Sequence, residues 1–330
     1  VKDTKLAEVA RLAGVSPGTV SNAFNRPNVV AAETITRIMD AVAELNYVPN
    51  GAARQLRVGS SSTIGLVLHD LGSPFLASLA EGAEEHASGR GFSLLIATTN
   101  RSPDKQRGYL ELFEEQRVKG ILLQPNGLPQ DSLERLKLRG IPVVLLDPPP
   151  SDANISSVSG DDFEGGRIAA RHLLEIGCRR ILVLPGPTGV RSFDERELGA
   201  KEEIDRVPGA SCFTSRSDTT MTAGRAAGEQ LTREGGFDGV FAGTDMIALG
   251  VLQALAQHGV SVPNDVAVIG YDDIEIASVA TVPLSSVRQP ARRMGQTAID
   301  LLFERFDAPS SARHQVVFRP ELVVRSSTRR

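Results

Sequence analysis

The chain has 330 residues, 41% hydrophobic and 23% charged, with a net charge of −4. That length asks for two or three domains, and that balance supports full apolar cores. With no run of 18 apolar residues and no apolar stretch behind the charged start VKDTKLAEV, neither a membrane-spanning helix nor a signal peptide is expected.

Two cysteines, Cys178 and Cys212, are too few for a disulfide framework or a zinc finger, and a reduced, cytoplasmic setting is expected. Residues 1–60 carry 7 Lys/Arg against 5 Asp/Glu, a net +2, and the rest carries 29 against 35, a net −6. A weakly basic head on an acidic body suits a small DNA-contacting module.

Three helical patterns fill the first 46 residues. Thr4 can cap a helix ending at Ala13, with Leu6, Val9 and Ala10 on one face. Gly14 permits a sharp turn. Ser16 can then cap a second helix reaching Phe24, with Val20 and Phe24 facing inward and Pro17 at the first helical position, where its missing N–H costs nothing. The third pattern places Ile35, Ile38, Met39, Val42 and Leu45 at helical spacing and stops before Pro49. The stretch NGAARQLRVGSSST (50–63) reads as a linker with one short helix at its centre, marginal without a partner.

From Ile64 onward apolar strands alternate with amphipathic helices. Strands are expected at 63–70, 92–99, 120–124, 142–147, 180–186, 239–243 and 266–273, and helices at 75–88, 104–116, 163–176, 246–257 and 291–306. Nearly all-apolar strands separated by helices imply parallel sheets covered on both faces. Some 265 residues of this pattern exceed one sheet, so two α/β lobes are expected. Ligands of such sheets lie beyond the strands' carboxyl ends. The polar residues there are His69, Asp70, Ser73, Asp147, Thr244, Asp245, Asp272 and Asp273, a set rich in carboxylates and poor in cations. Such a rim suits hydroxyls better than phosphate, and neither GxxxxGK[ST] nor GxGxxG is present.

The stretches LAEVARLAGVSPGTVSNAFN, AELNYVPN, AARQLRVGSSSTIGLVL, DDFEGGRIAARHLLEIG, GTDMIALGVLQAL, VPNDVAVIGYDDIEIA and PLSSVRQP follow in a specific order. On them the chain resembles the lac repressor (LacI/GalR) family of bacterial transcription regulators over essentially its whole length. The resemblance implies an all-α helix-turn-helix headpiece at 1–49, a hinge helix and linker at 50–63, and a two-lobed α/β domain like the type I periplasmic binding proteins at 64–330. One lobe would hold about 64–160 and 291–319, the other about 161–290 and 320–330.

It also implies roles. Pro17, Gly18 and Asn22 occupy base-reading places, and Thr19, Ser21 and Asn25 places that touch phosphate; Thr4, Ser16 and Asn50 complete this DNA-facing set. Asn22 can pair bidentately with an adenine edge. Leu56 stands where family hinges wedge a leucine into the minor groove, beside Ala53, with Arg54 and Arg57 within reach of phosphates. The effector positions carried over are Asp70, Phe75, Asp162, Arg196, Thr219, Thr244 and Asp272. Asp162 has a second reading as a plain helix cap, and Phe75 as plain core. Ala200 and Thr219 stand where family pockets usually carry aromatics, so a roomier pocket is expected. Ala31 replaces the usual serine cap of the third helix, at a cost of about 1 kcal/mol.

An effector-controlled repressor, binding a palindromic operator as a homodimer, uses every segment. A sugar or sugar-like polyol is the favoured effector and a nucleobase the alternative. A solute-binding protein would leave residues 1–60 without a purpose. An enzyme would need a nucleophile beside its five scattered histidines, and no G-x-S-x-G or H-E-x-x-H is present. No cofactor, metal or membrane partner is implied.

Overall fold

The computed structural model describes residues 6–47, 61–127, 130–148, 155–308 and 312–329. The chain divides into two compact units, Val1–Ser61 and Ser62–Arg330.

The first unit contains α1 (Leu6–Ala13), α2 (Pro17–Asn25) and α3 (Ala32–Glu44), with a 3₁₀ turn at Pro27–Val29. Gly14 turns the chain between α1 and α2 at φ +66°, a backbone that costs a side-chain-bearing residue energy. Ser16 then caps α2, its Oγ accepting from the Thr19 N–H at 3.1 Å, and Pro17 sits at the start of the helix. Val9, Ala10, Ala13, Val20, Ile38 and Ala41 form the core, with Phe24 packed against it. Met39, expected on the inner stripe, is 49% exposed: a stripe drawn through 35, 38, 42 and 45 leaves it on the flank. Ala31 starts α3 without a side-chain cap bond. The proposed hinge, with Asn50, Ala53, Arg54, Leu56 and Arg57, and the cap candidate Thr4 lie outside the described residues.

The second unit is built on two six-stranded sheets. The first runs β1 (Thr63–Leu68), α4 (Pro74–Ser88), β2 (Ser93–Thr98), α5 (Pro103–Glu115), β3 (Gly120–Leu123), α6 (Gln130–Leu138), β4 (Val143–Leu146) and β5 (Ser157–Gly160). The chain crosses to the second sheet through α7 (Asp162–Glu175), β6 (Arg180–Leu184), α8 (Arg191–Asp205), β7 (Ser211–Thr214), α9 (Met221–Glu234), β8 (Gly239–Ala242), α10 (Asp245–Gln257), β9 (Ala267–Asp272), α11 (Glu275–Val279) and β10 (Ser285–Arg288). It returns to the first with α12 (Ala291–Asp307) and β11 (Gln315–Phe318), and ends in the second with β12 (Glu321–Val323).

Strand order is β11-β5-β4-β3-β1-β2 in one sheet and β12-β10-β9-β8-β6-β7 in the other, the same winding twice. All pairings are parallel except β10 with β12. The β1, β3, β8 and β9 strands are buried almost throughout, as helix-covered parallel strands must be. Ser–Pro pairs start α4 and α5 as they start α2: Ser73 and Ser102 accept from the N–H three residues on, and proline takes the next place.

Strands β5, β7, β10, β11 and β12 and helices α6, α8, α9 and α11 add to the elements read strand by strand and helix by helix from the pattern. Segments such as SVSG and SSVR hold one apolar residue each, and their burial comes from neighbours, so local pattern carries little signal for them.

Candidate functional site

Each sheet reverses its winding between two neighbouring strands, β1 and β3 in one and β6 and β8 in the other. Residues beyond the carboxyl ends of these strands surround one cavity of about 400 Å³ between the lobes. The seven positions proposed from sequence for an effector, Asp70, Phe75, Asp162, Arg196, Thr219, Thr244 and Asp272, all line it. The strand expected over 63–70 ends at Leu68, and His69 and Asp70, in the turn that follows, both line the cavity.

Arg196 is the hub. It projects from α8 and is only 4% exposed. Its Nε donates to Asp162 Oδ1 at 2.8 Å, its Nη1 to the Gly243 carbonyl at 2.6 Å, and its Nη2 stands 3.8 Å from Asp272 Oδ1. The guanidinium lies over the Tyr271 ring, 3.7 Å from its centroid, and the Tyr271 hydroxyl donates to Asp162 Oδ1 at 3.4 Å. A Cβ at Gly165 would fall 2.0 Å from that hydroxyl, so glycine is needed for the tyrosine to reach the site.

Asp162 resolves its double reading. Asp161 caps α7, accepting from the Glu164 N–H at 3.0 Å, which leaves Asp162, 1% exposed, for the cavity and Arg196. Burial pushes the Asp162 carboxyl up to about 7, against the pull of Arg196 and Arg191 and with help from Asp147. Burial likewise raises Asp272, opposed by Arg196 and the Gln289 amide, and raises Asp245 well above the carboxylate range. Asp245 is a strut: it accepts from the Ser286 hydroxyl at 2.7 Å and the Ile274 N–H at 2.8 Å.

A raised folded-state value means that the folded chain holds this proton more tightly than the unfolded chain. The stabilisation from protonated Asp162 is therefore complete below the unfolded value of 3.8 and is lost as pH rises to about 7. Urea melts from pH 4 to 7 are expected to show stability falling with pH, and Asp162→Asn is expected to flatten that slope. An unchanged slope would remove Asp162 as its source.

Several residues that shape the site were not singled out as effector positions. Arg191 reaches from α8 in one lobe to Asp147 beyond β4 in the other, donates to Glu195 at 2.6 Å and stands 3.5 Å from Asp162. Gln289, at the crossing before α12, is 6% exposed and donates to Asp272 at 3.4 Å. Arg101 lines the cavity from the turn after β2. With Arg101 and Arg196 in its wall and Arg191 beside it, the site is not cation-poor as the strand-end residues alone implied; these arginines sit one turn deeper into loops and helices. Three aspartates near the strand ends adopt left-handed backbone, Asp147 at φ +55°, Asp272 at φ +98° and Asp273 at φ +54°. Such strain persists where the surroundings enforce it, and here it turns carboxylates toward ion-pair partners.

Other expectations need correction or division. Ala200 lies in the core between α7 and α8 and does not line the cavity, because the helices cross at glycines too closely for it to face out. Thr244 caps α10, accepting from the Ile247 N–H at 3.3 Å, while also lining the cavity. Phe75 both packs on the core and lines the cavity.

In the first unit, Ser16, Pro17, Gly18 and Asn22 are exposed along the amino-terminal part of α2. The Thr19 hydroxyl is held at 2.9 Å by that of Ser16. Ser21 departs from expectation: it is 6% exposed, beside the core residue Val20, so it does not share the open face of Gly18 and Asn22. Asn25 is the last residue of α2.

Residues 5–50 match the family described as bacterial regulatory proteins, lacI family, and residues 170–328 match a periplasmic binding protein-like domain. The chain is 33% identical over 329 residues to the HTH-type transcriptional repressor PurR of Actinobacillus pleuropneumoniae serotype 3 (strain JL03), covering 98% of each. Among solved structures, it is similar to the transcriptional regulator CelR in complex with cellobiose (33% identity, TM-score 0.73, 98% of this chain and 99% of that one). It is also similar to the lac repressor dimer bound to operator and the anti-inducer ONPF (27% identity, TM-score 0.85, 99% of each).

Proposed function

The chain belongs to the lacI family of bacterial regulatory proteins and is a DNA-binding transcriptional repressor, not an enzyme, and from that premise we propose that it binds a palindromic operator as a homodimer in the cytoplasm, under control of a sugar-type effector held between its lobes. The observation that carries the effector reading is the cavity, where side chains from both lobes converge on the buried Arg196–Asp162–Asp272 cluster. A ligand there bonds to both lobes at once and so favours one angle between them. The chain crosses between the lobes only at short connections after β5, β10 and β11, which suit a hinge.

Sugar chemistry is supported by the lining. Asp70, Asn100, Gln124, Asp218 and Gln289 add acceptors and amides suited to hydroxyls, whereas the aromatic rings in the described lining are those of Phe75, Phe193 and His69, the last only 6% exposed. The Phe193 ring is 5.4 Å from the Arg196 guanidinium and 8% exposed, which leaves Phe75 without an open partner ring for sandwiching a nucleobase. The relative named PurR favours a purine instead. A thermal-shift comparison of pentoses, hexoses and disaccharides with purine bases decides between them, since a true ligand raises the melting temperature. A response to purine bases alone would overturn the sugar reading.

Dimerisation is supported by an uncovered sheet edge. Strand β2 ends its sheet, with Leu95 and Ile96 42% and 41% exposed, and α11 exposes Ile276 and Val279. Apolar edges of this kind call for a cover. In this reading the effector sets the spacing of two hinge segments around Leu56, and their folding on DNA separates specific from non-specific binding. Asn22→Ala is expected to cost about 1–3 kcal/mol of discrimination at its base pair, roughly 5- to 150-fold. Binding to operator variants checks this, and an unchanged preference would take base reading away from Asn22.

A further inference from the structure

Arg101 is the cavity-lining arginine without an ion-pair partner among the described residues. Arg196 faces Asp162 and Asp272, while Arg191, beside the cavity, faces Asp147 and Glu195. The Arg101 Nε is buried and carries no hydrogen bond among the described residues. That nitrogen is closed to solvent and so to a ligand as well; what the cavity offers a ligand is the charge of a lining guanidinium with no carboxylate against it among the described residues.

The backbone holds Arg101 in place. Asn100 and Arg101 are successive non-glycine residues at φ +48° and +57°, an arrangement that L-residues adopt only under constraint. The constraint is visible on both sides: the Asn100 N–H donates to the His69 carbonyl at 2.7 Å, and Ser102 caps α5. The nearby charges do not pair with Arg101. Asp70 Oδ1 accepts from the Ser73 N–H at 2.9 Å, and Asp147 is engaged by Arg191. His69, 6% exposed, stands 3.4 Å by Nε2 from the Pro125 carbonyl; burial, aided by Arg101, lowers its pKa and keeps it neutral at neutral pH.

Resting on the reading of this cavity as a sugar-type effector site, we propose that the effector carries an anionic group, a carboxylate or a phosphate, which Arg101 receives at the wall formed by the β1 and β2 ends. The planar guanidinium presents donors that match two oxygens of either group. The Asn100 side chain, lining the same wall, adds a neighbouring hydrogen bond. The effector is then an acidic sugar or a sugar phosphate, with its neutral hydroxyls toward Arg196 and the opposite lobe.

The test uses the full chain and Arg101→Gln, with Arg101→Lys retaining the charge and circular dichroism confirming that both variants fold. Probes are hexoses and pentoses, their uronates, their terminal phosphates and inorganic phosphate alone, read by thermal shift and calorimetry. Acidic forms are expected to bind more tightly than the neutral parents. Arg101→Gln is expected to weaken them about 10- to 100-fold, with partial recovery in Arg101→Lys. Uronates and phosphates separate the two sources of charge. Inorganic phosphate is expected to raise the melting temperature of the original chain and not that of Arg101→Gln. Neutral sugars binding as tightly as their acidic forms, or equal responses of the original chain and Arg101→Gln, would overturn the anion assignment and leave the sugar reading standing. A response to purine bases alone removes the sugar reading, and with it this proposal.

Discussion

Arg196→Met is expected to destabilise the unit Ser62–Arg330 by about 3–5 kcal/mol and to abolish its response to effector. Removing the cation leaves Asp162 and Asp272, 1% and 9% exposed, without their shared counter-charge. It also leaves the Gly243 carbonyl without its 2.6 Å donor and removes the guanidinium from the Tyr271 face. Methionine restores some of the apolar volume and none of the charge. Because Asp162 and Arg196 act as one unit, adding Asp162→Asn to Arg196→Met is expected to cost less than the sum of the two changes. Urea melts of the four chains measure this directly, and strict additivity would show that the pair is not coupled. DNA binding by the first unit is expected to survive, so operator affinity that no longer responds to effector is the functional signature.

Gly166→Ala is expected to cost about 1–3 kcal/mol or more although it adds a single methyl group. The new Cβ would fall 2.0 Å from the Arg196 carbonyl oxygen and 3.0 Å from the Ala200 N, both backbone atoms that cannot rotate away. Gly199 makes the reciprocal approach, its Cβ position 2.0 Å from the Phe163 carbonyl oxygen. The α7 and α8 helices must therefore separate, and they carry the two halves of the Asp162–Arg196 pair. Stability and effector affinity are expected to fall together. Gly108→Ala is the control: its Cβ position in α5 has nothing within 4 Å, and alanine there is expected to stabilise by about 0.5–1 kcal/mol. Equal effects at both glycines would refute the close-crossing explanation.

What could be read from the sequence follows from how local each signal is. Ser16-Pro17, Ser73-Pro74 and Ser102-Pro103 announce helix starts because cap and proline act within one turn. Strands such as IGLVL and AVIGY announce themselves because burial on both faces demands apolar side chains at every position. The strand ends, and hence the cavity wall with Asp70 and Asp272, follow from the alternation of strands and helices. The resemblance to a regulator family supplied Arg196, which lies inside a helix that local pattern did not mark.

Other features depend on contacts between distant residues. Asp161 and Asp162 are identical neighbours, and only the entry of α7 decides that the first caps the helix and the second meets Arg196. Ser21 looks like a surface serine, and only the packing of three helices buries it. Arg191 finds Asp147 across 44 residues and two lobes.

The sequence by itself determined the family, the division into a small helical unit and a two-sheet unit, and part of the cavity's lining, Asp70, Phe75, Asp162, Arg196, Thr219, Thr244 and Asp272, since these rest on periodicity, caps and ordered motifs along the chain. The tertiary structure alone decided the electrostatic state of that cavity: which carboxylates are paired, which are pushed toward neutrality, and that Arg101 has no ion-pair partner among the described residues. Pairing and desolvation depend on distance and burial in three dimensions, and neither quantity is written in the order of residues.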